Sequence, residues 1–286
     1  MTYKLTGIQT DYDSFAQVID LYHNYQKDMF GIIGLSFQNW FGANMSSPLG
    51  AVLDLLEANL NTIKIEDFSV SSILKILKKN DFLSHYGYNR LPDTNNTTIK
   101  YLKLKPSDGR YFHMYIVNEL LTRSELPAMS LGLKKKITEA IYEIFINAKY
   151  HSGTKYIYTC GQFFPKKNEI EFTLTDTGDG FKKVINRRFN KNLSAIQAIK
   201  WATQDEHSTK IGVPGGIGLS ILKEFIVKNQ GKIQIISDDG YYEYSRKGEE
   251  MRSFQKPFPG SALNVQLRTD DTHSYKLSDE KNGDIF

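Results

Sequence analysis

Between residues 137 and 230 the chain changes its apolar period in a way that leaves few folds open. Ile137, Ala140, Ile141, Ile144, Phe145 and Ala148 fall on one stripe of a 3.6-residue helix. Ile170, Phe172 and Leu174 then alternate with Glu171, Thr173 and Thr175, the period of a strand with two unlike faces. That strand runs into Asp176-Thr177-Gly178-Asp179-Gly180. A second glycine group, Gly212, Gly215, Gly216 and Gly218, precedes a helical stretch from Gly218 to Asn229 that Gly231 ends. A helix with one apolar stripe has to pack on something flat, so this half of the chain is expected to be α/β, with helices laid on a sheet.

Composition narrows the class. A chain of 286 residues with 40% hydrophobic and 24% charged content can bury two modest cores. Lys and Arg exceed Asp and Glu by only 36 to 32, so nothing in the +4 balance calls for nucleic acid or an anionic membrane. The single cysteine, Cys160, excludes an internal disulfide and fits a reducing compartment. With no signal-peptide pattern and no apolar run of membrane-spanning length, the expectation is a cytoplasmic protein.

Along the chain, residues 1–105 read as a small α/β unit. Phe30 to Phe37 is strand-like, Leu49 to Leu60 helical, Thr62 to Ile65 a second strand and Ser71 to Lys79 a second helix. The polar stretch from Arg90 to Thr98 has loop chemistry. Residues 106–270 form the second unit, opening with a helix-like segment from Phe112 to Arg123. Tyr156 to Cys160 and Ile170 to Thr175 are expected to pair antiparallel. Ser194 with Gln197 is a capping-box pattern for a helix reaching about Thr203. Lys232 to Ser237 and Ala262 to Leu267 supply two more strands. The tail, residues 271–286, is polar and expected to fray.

Each motif has a chemistry that explains its residue types. Glu143 and Asn147 are one helical turn apart and stack beside the apolar stripe. An Asn carbonyl oxygen suits magnesium, which takes few protein oxygens alongside water and phosphate. A Glu beside it can orient and deprotonate a water or a hydroxyl acceptor. Asp176 can accept the exocyclic amine of adenine, while Gly178 and Gly180 remove Cβ atoms that would keep backbone away from the base. Gly212, Gly215, Gly216 and Gly218, with Ile217 and Leu219, lie where the N-terminal amides of a helix bind phosphate. Asp205 to Val213 would form a lid over them. Ser261 opens the last strand and would bring a hydroxyl near Asp176. Alone, Glu143 and Asn147 could be an ordinary helix surface and the Asp-Gly turn an ordinary turn; their order along one chain sets those readings aside. His113, His151 and His207 lack metal-ligand spacing, and Trp201 and Cys160 are read as core residues.

Over about residues 110 to 268 the chain resembles the GHKL, or histidine-kinase-like, ATPase family. Its N box is matched by Glu143 and Asn147, its G1 box by Asp176, Gly178 and Gly180, and its G2 box by Gly215, Gly216 and Gly218. The resemblance implies a Bergerat-type α/β sandwich, helices on a mixed and largely antiparallel sheet, that holds ATP and magnesium ion. It is nearest to the sensor-kinase and anti-sigma-factor kinase branch, which implies ATP hydrolysis or phosphoryl transfer to a protein serine; the alternative, from a different class, is a non-catalytic, ATP-controlled protein-interaction switch. No helical segment with a phospho-accepting histidine matches that of sensor kinases. Residues 1–105 resemble a STAS domain, with Gly42-Ala43-Asn44-Met45-Ser46 at its signature loop. The acceptor serine of that loop is matched by Asn44, which has no nucleophilic hydroxyl. A protein partner is implied, either a STAS-like regulator or a second copy of the chain.

Overall fold

The computed structural model describes residues 2–204, 217–278 and 280, with the side chains of His151 and of 217–221 outside that description. The described residues are mixed α/β, built on a three-stranded and a five-stranded sheet with helices between and beyond them and a small two-stranded sheet beside them. In the first unit β1 (Thr2–Ile8), β2 (Ile32–Phe41) and β3 (Thr62–Phe68) lie side by side in that order, all parallel. Helices α1 (Tyr12–Tyr25) and α2 (Ser46–Ala58) make the crossovers, and α3 (Ser71–Lys79) follows. Parallel strands need such crossovers, because no tight turn can join them. Asp11 starts α1 by accepting the Ser14 amide at 2.8 Å. Phe15, Val18, Ile19 and Leu21 then face inward. In α2 every residue from Ser46 to Leu53 is buried, as expected for a helix with layers on more than one side.

The second sheet has five strands in the order β4 (Thr98–Leu104), β6 (Ile157–Phe164), β7 (Glu169–Asp176), β9 (Gly248–Arg268), β8 (Lys232–Ser245), and every ladder is antiparallel. The expected boundary at 105 falls just past β4, which pairs with β6 rather than with the first sheet. Two cores meet on this sheet's two faces. Toward the N-terminal unit, Tyr158, Cys160, Ile236 and Ala262 join Leu35, Phe37, Leu49 and Val52. On the far face, Ile170, Phe172, Leu174, Ile235 and Val265 pack with Ile137, Ile141 and Phe145 of α5 (Leu131–Asn147) and Leu222, Phe225 and Ile226 of α8 (Ile217–Lys228). The stripe read from α5 is therefore the one that packs. The segment from Phe112 is helical but tightens and loosens, α4 (Gly109–Tyr115) passing into a π-helical stretch, Ile116–Leu121.

Three features lie outside the sequence expectations. Strand β1 carries Leu5 and Ile8 inward across a register shift between Thr6 and Ile8, with Gly7 at φ 61 in the left-handed region, which breaks the alternation that would mark it. Strands β8 and β9 continue past the sheet as a long hairpin arm that lies on α1. There the Tyr12 and Phe254 rings stack at 4.5 Å, the Tyr12 hydroxyl donates to Ser253 O at 2.8 Å, and Lys256 pairs with Asp20 at 2.9 Å. The tail is held rather than frayed as far as Glu280: β10 (Ser274–Tyr275) pairs with β5 (Ala128–Met129), and Glu280 accepts from Ser130 Oγ at 2.6 Å. Among the described residues, no helix is long and apolar enough to cross a membrane.

Candidate functional site

Helix α5 starts at Ser130, whose hydroxyl accepts the Leu133 amide at 3.1 Å. Its buried stripe turns Glu143 and Asn147 to one side, both half-buried, at the mouth of a cleft against the five-stranded sheet. Past Asn147 the helix loosens into a π turn, Ala148–Ser152, and ends at Gly153 with φ 67. Such turns place extra backbone where a regular helix has none. Here the turn meets the Asp-Gly loop: the Asp179 amide donates to Ser152 O at 2.6 Å.

Asp176 is the last residue of β7 and stands directly opposite Ser261 on β9. Its side chain is buried and lines the same cleft, and its Oδ1 accepts the Gly178 amide at 2.9 Å. Burial pushes the carboxyl up to about 6; the Gly178 amide and Ser152 hydroxyl pull the other way. Ser261 Oγ is 2.9 Å from Ser237 Oγ, which accepts the Phe181 amide at 2.9 Å. Two hydroxyls thus tie β9, across β8, to the start of α6 (Phe181–Phe189).

Glu143, Asn147, Asp176 and Ser261 all line one cleft. Gly178 and Gly180 do not, and their missing Cβ atoms serve the protein itself. A Cβ on Gly178 would sit 2.1 Å from Ser152 O, and one on Gly180 would sit 2.4 Å from Asp238 Oδ2. The glycines therefore let the Asp-Gly loop close against the end of the α5 segment and against β8, which is a different use from the close approach to a base expected of them. Gly212, Gly215, Gly216 and the lid segment Asp205 to Val213 lie outside the described residues. Ile217, Gly218 and Leu219 stand in the first turn of α8.

The cleft also contains residues that sequence reasoning passed over. Phe181, Val184 and Ile185 of α6 form one wall, and their i, i+3, i+4 spacing was the available signal. Trp201, at the end of α7 (Ala195–Ala202), is half-exposed on that wall and packs on Phe189 at 4.7 Å, so it is not a core residue. Helix α7 itself opens with the capping box, Ser194 and Gln197 exchanging hydrogen bonds at 2.8 and 3.3 Å. Cys160 is fully buried with its thiol pushed up to about 12 by burial, which leaves no thiolate for chemistry.

The arrangement suits a flat ligand with a polar rim. Ile144, Leu174, Phe181 and Leu263 give an apolar slot, and Asp176 gives it one buried acceptor. At the other side an amide and a carboxylate, one helical turn apart, can meet a cation and a proton. No protein-family model matches the sequence, and no curated protein matches it.

Proposed function

We propose that the chain is a magnesium-dependent ATP-binding protein of the GHKL type that hydrolyses ATP or passes its γ-phosphoryl group to a protein serine. The observation that carries this reading is the convergence of Glu143, Asn147, Asp176 and Ser261, far apart in sequence, on one apolar cleft. The residues fit the ligand chemically. Asp176 is a buried acceptor in an apolar slot, as an adenine amine requires, and would face a carbonyl in guanine. Asn147 would hold a magnesium ion through its side-chain oxygen, the ion neutralising phosphate charge. Glu143, on the same helix face, accepts the proton of the attacking water or hydroxyl. Ser261, opposite Asp176 in the strand register, would bring its hydroxyl beside the base.

The fold of 1–79 supports a STAS-like reading of the N-terminal unit through its strand-helix alternation. Asn44, Ser46 and Ser47 are fully buried, so this loop offers no acceptor to a kinase.

Two measurements test the proposal. Calorimetric titration should give tighter binding of ATP than of GTP, and equal affinities would refute the role of Asp176. Glu143→Gln should still bind ATP but turn over about 10²–10⁴-fold more slowly. Unchanged turnover in that variant would make the protein an ATP-controlled switch without catalysis.

A further inference from the structure

Strand β7 is buried along its whole length and divides its side chains between two neighbours. Leu174 and Asp176 line the cleft. Glu171, Thr173 and Thr175 meet the N-terminal unit instead. The Glu171 carboxylate accepts from the Thr10 hydroxyl and, at 3.0 Å, from the Asn44 amide, which is also 3.1 Å from Thr173 Oγ1. Ser47 Oγ lies 2.9 Å from Thr175 Oγ1 and 3.0 Å from the carbonyl oxygen of Tyr158, the residue paired with Thr175 across the β6–β7 ladder. Asn44, Ser47, Thr173 and Thr175 are all 0% exposed.

A polar seam of this kind is a weak adhesive. Each buried hydrogen bond replaces one made to water, and apolar side chains of similar shape would hold the layers together at least as well. Hydrogen bonds add direction: they fix the lateral position of β7, and the residue that follows Thr175 is Asp176. The contact is made by the loop and first helical turn from Gly42 to Ser47, on the opposite face of the sheet from the cleft.

We propose that Ser47 and Thr175 are positioning residues for Asp176, so that the N-terminal unit sets adenine affinity and selectivity from the far face of the sheet. This rests on the nucleotide reading of the cleft. Coupling of this sort is reciprocal, so ATP in the cleft must in turn steady the 42–47 loop.

The test uses the full chain. Thr175→Val keeps the shape and loses the hydroxyl, whereas Thr175→Ser keeps the hydroxyl. In calorimetric titration with magnesium, Thr175→Val is expected to bind ATP at least about 5-fold more weakly and to discriminate less against GTP, while Thr175→Ser keeps the wild-type preference. A merely structural role would lower the melting temperature and leave the ATP-to-GTP ratio alone. Amide hydrogen exchange of the wild-type chain needs no variant and decides the matter even where Thr175→Val fails to fold: protection at 42–47 should rise when ATP and magnesium are added. Unchanged exchange there, or an unchanged ATP-to-GTP ratio in folded Thr175→Val, overturns the inference and leaves the nucleotide reading standing. A wild-type chain that binds no ATP overturns both.

Discussion

Burial holds the Asp176 carboxyl near 6, above its ordinary value of 3.8, which makes its proton sensitive to both folding and ligand. The folded state then binds more protons than the unfolded one between those values, so this group's contribution to stability is present at low pH and is lost as pH rises through about 6. Ligand affinity has the opposite slope, because the ionised form is the better acceptor. ATP binding should therefore weaken as pH falls from 7 through 6, and Asp176→Asn should abolish that dependence; parallel titration curves for the two proteins would remove Asp176 from the site. Asp176→Ala should cost roughly 1.5–3 kcal/mol of binding, one charge-assisted hydrogen bond. Asn44 carries a second prediction. Its amide nitrogen lies 3.0 Å from Glu171 Oε2, so Asn44→Asp would set two carboxylates against each other without water. Breaking a buried network this way costs about 3–5 kcal/mol, and thermal melts at pH 7 should show it. A variant as stable as wild type would mean that the seam opens to solvent or that the two carboxyls share a proton. Both residues were legible as chemistry in the sequence; that Asn44 is enclosed was not, since no local pattern reports what another unit places on top of a loop.

Strand β7 shows how an element can mislead by being well formed. Its alternation of apolar residues with Glu171, Thr173 and Thr175 is the pattern of a sheet with one wet face, yet all of its residues are buried. The polar face is dry because Thr10, α2 and the 42–47 loop cover it. The Glu171 carboxyl, with the Thr10 hydroxyl and Lys232 working against the shift, is pushed by burial up to about 7 from 4.5. It too binds an extra proton in the folded state over that window, so stability should fall as pH rises from about 4.5 to 7, by at most about 1.4 kcal/mol per pH unit. Glu171→Gln should flatten this part of the stability profile in urea titrations; an identical slope would mean the carboxyl is ionised throughout. The Asp-Gly turn makes a sharper point. Gly178→Ala would drive a Cβ to 2.1 Å from Ser152 O, so it should lower the melting temperature as well as ATP affinity. Loss of affinity alone would restore the expectation that this glycine faces the base.

At the scale of the molecule, the five-stranded sheet belongs to both cores. Tyr158, Cys160, Ile236 and Ala262 are buried only because the N-terminal helices lie on them, and Phe254 and Phe258 of the hairpin arm are covered in the same way. Unfolding by urea should therefore be one cooperative transition, and residues 106–286 expressed alone should be unstable, lacking β4 and exposing that face. Two separate transitions, or a stable soluble fragment, would show that the units fold independently.

What the sequence determined alone was local. The stripe on α5, the alternation of β7, the capping box at Ser194 and the spacing that puts Glu143 and Asn147 on one helix face all follow from side-chain periods and hydrogen-bonding groups within a few residues of each other. Where the deciding neighbour was distant in the chain, sequence was silent. Ser152 against Gly178 and Asn44 in a buried seam are settled by strand register and layer order, which arise when separate apolar faces seek a common core and which no single segment encodes, and Trp201, expected in a core, stands on the cleft wall for the same reason.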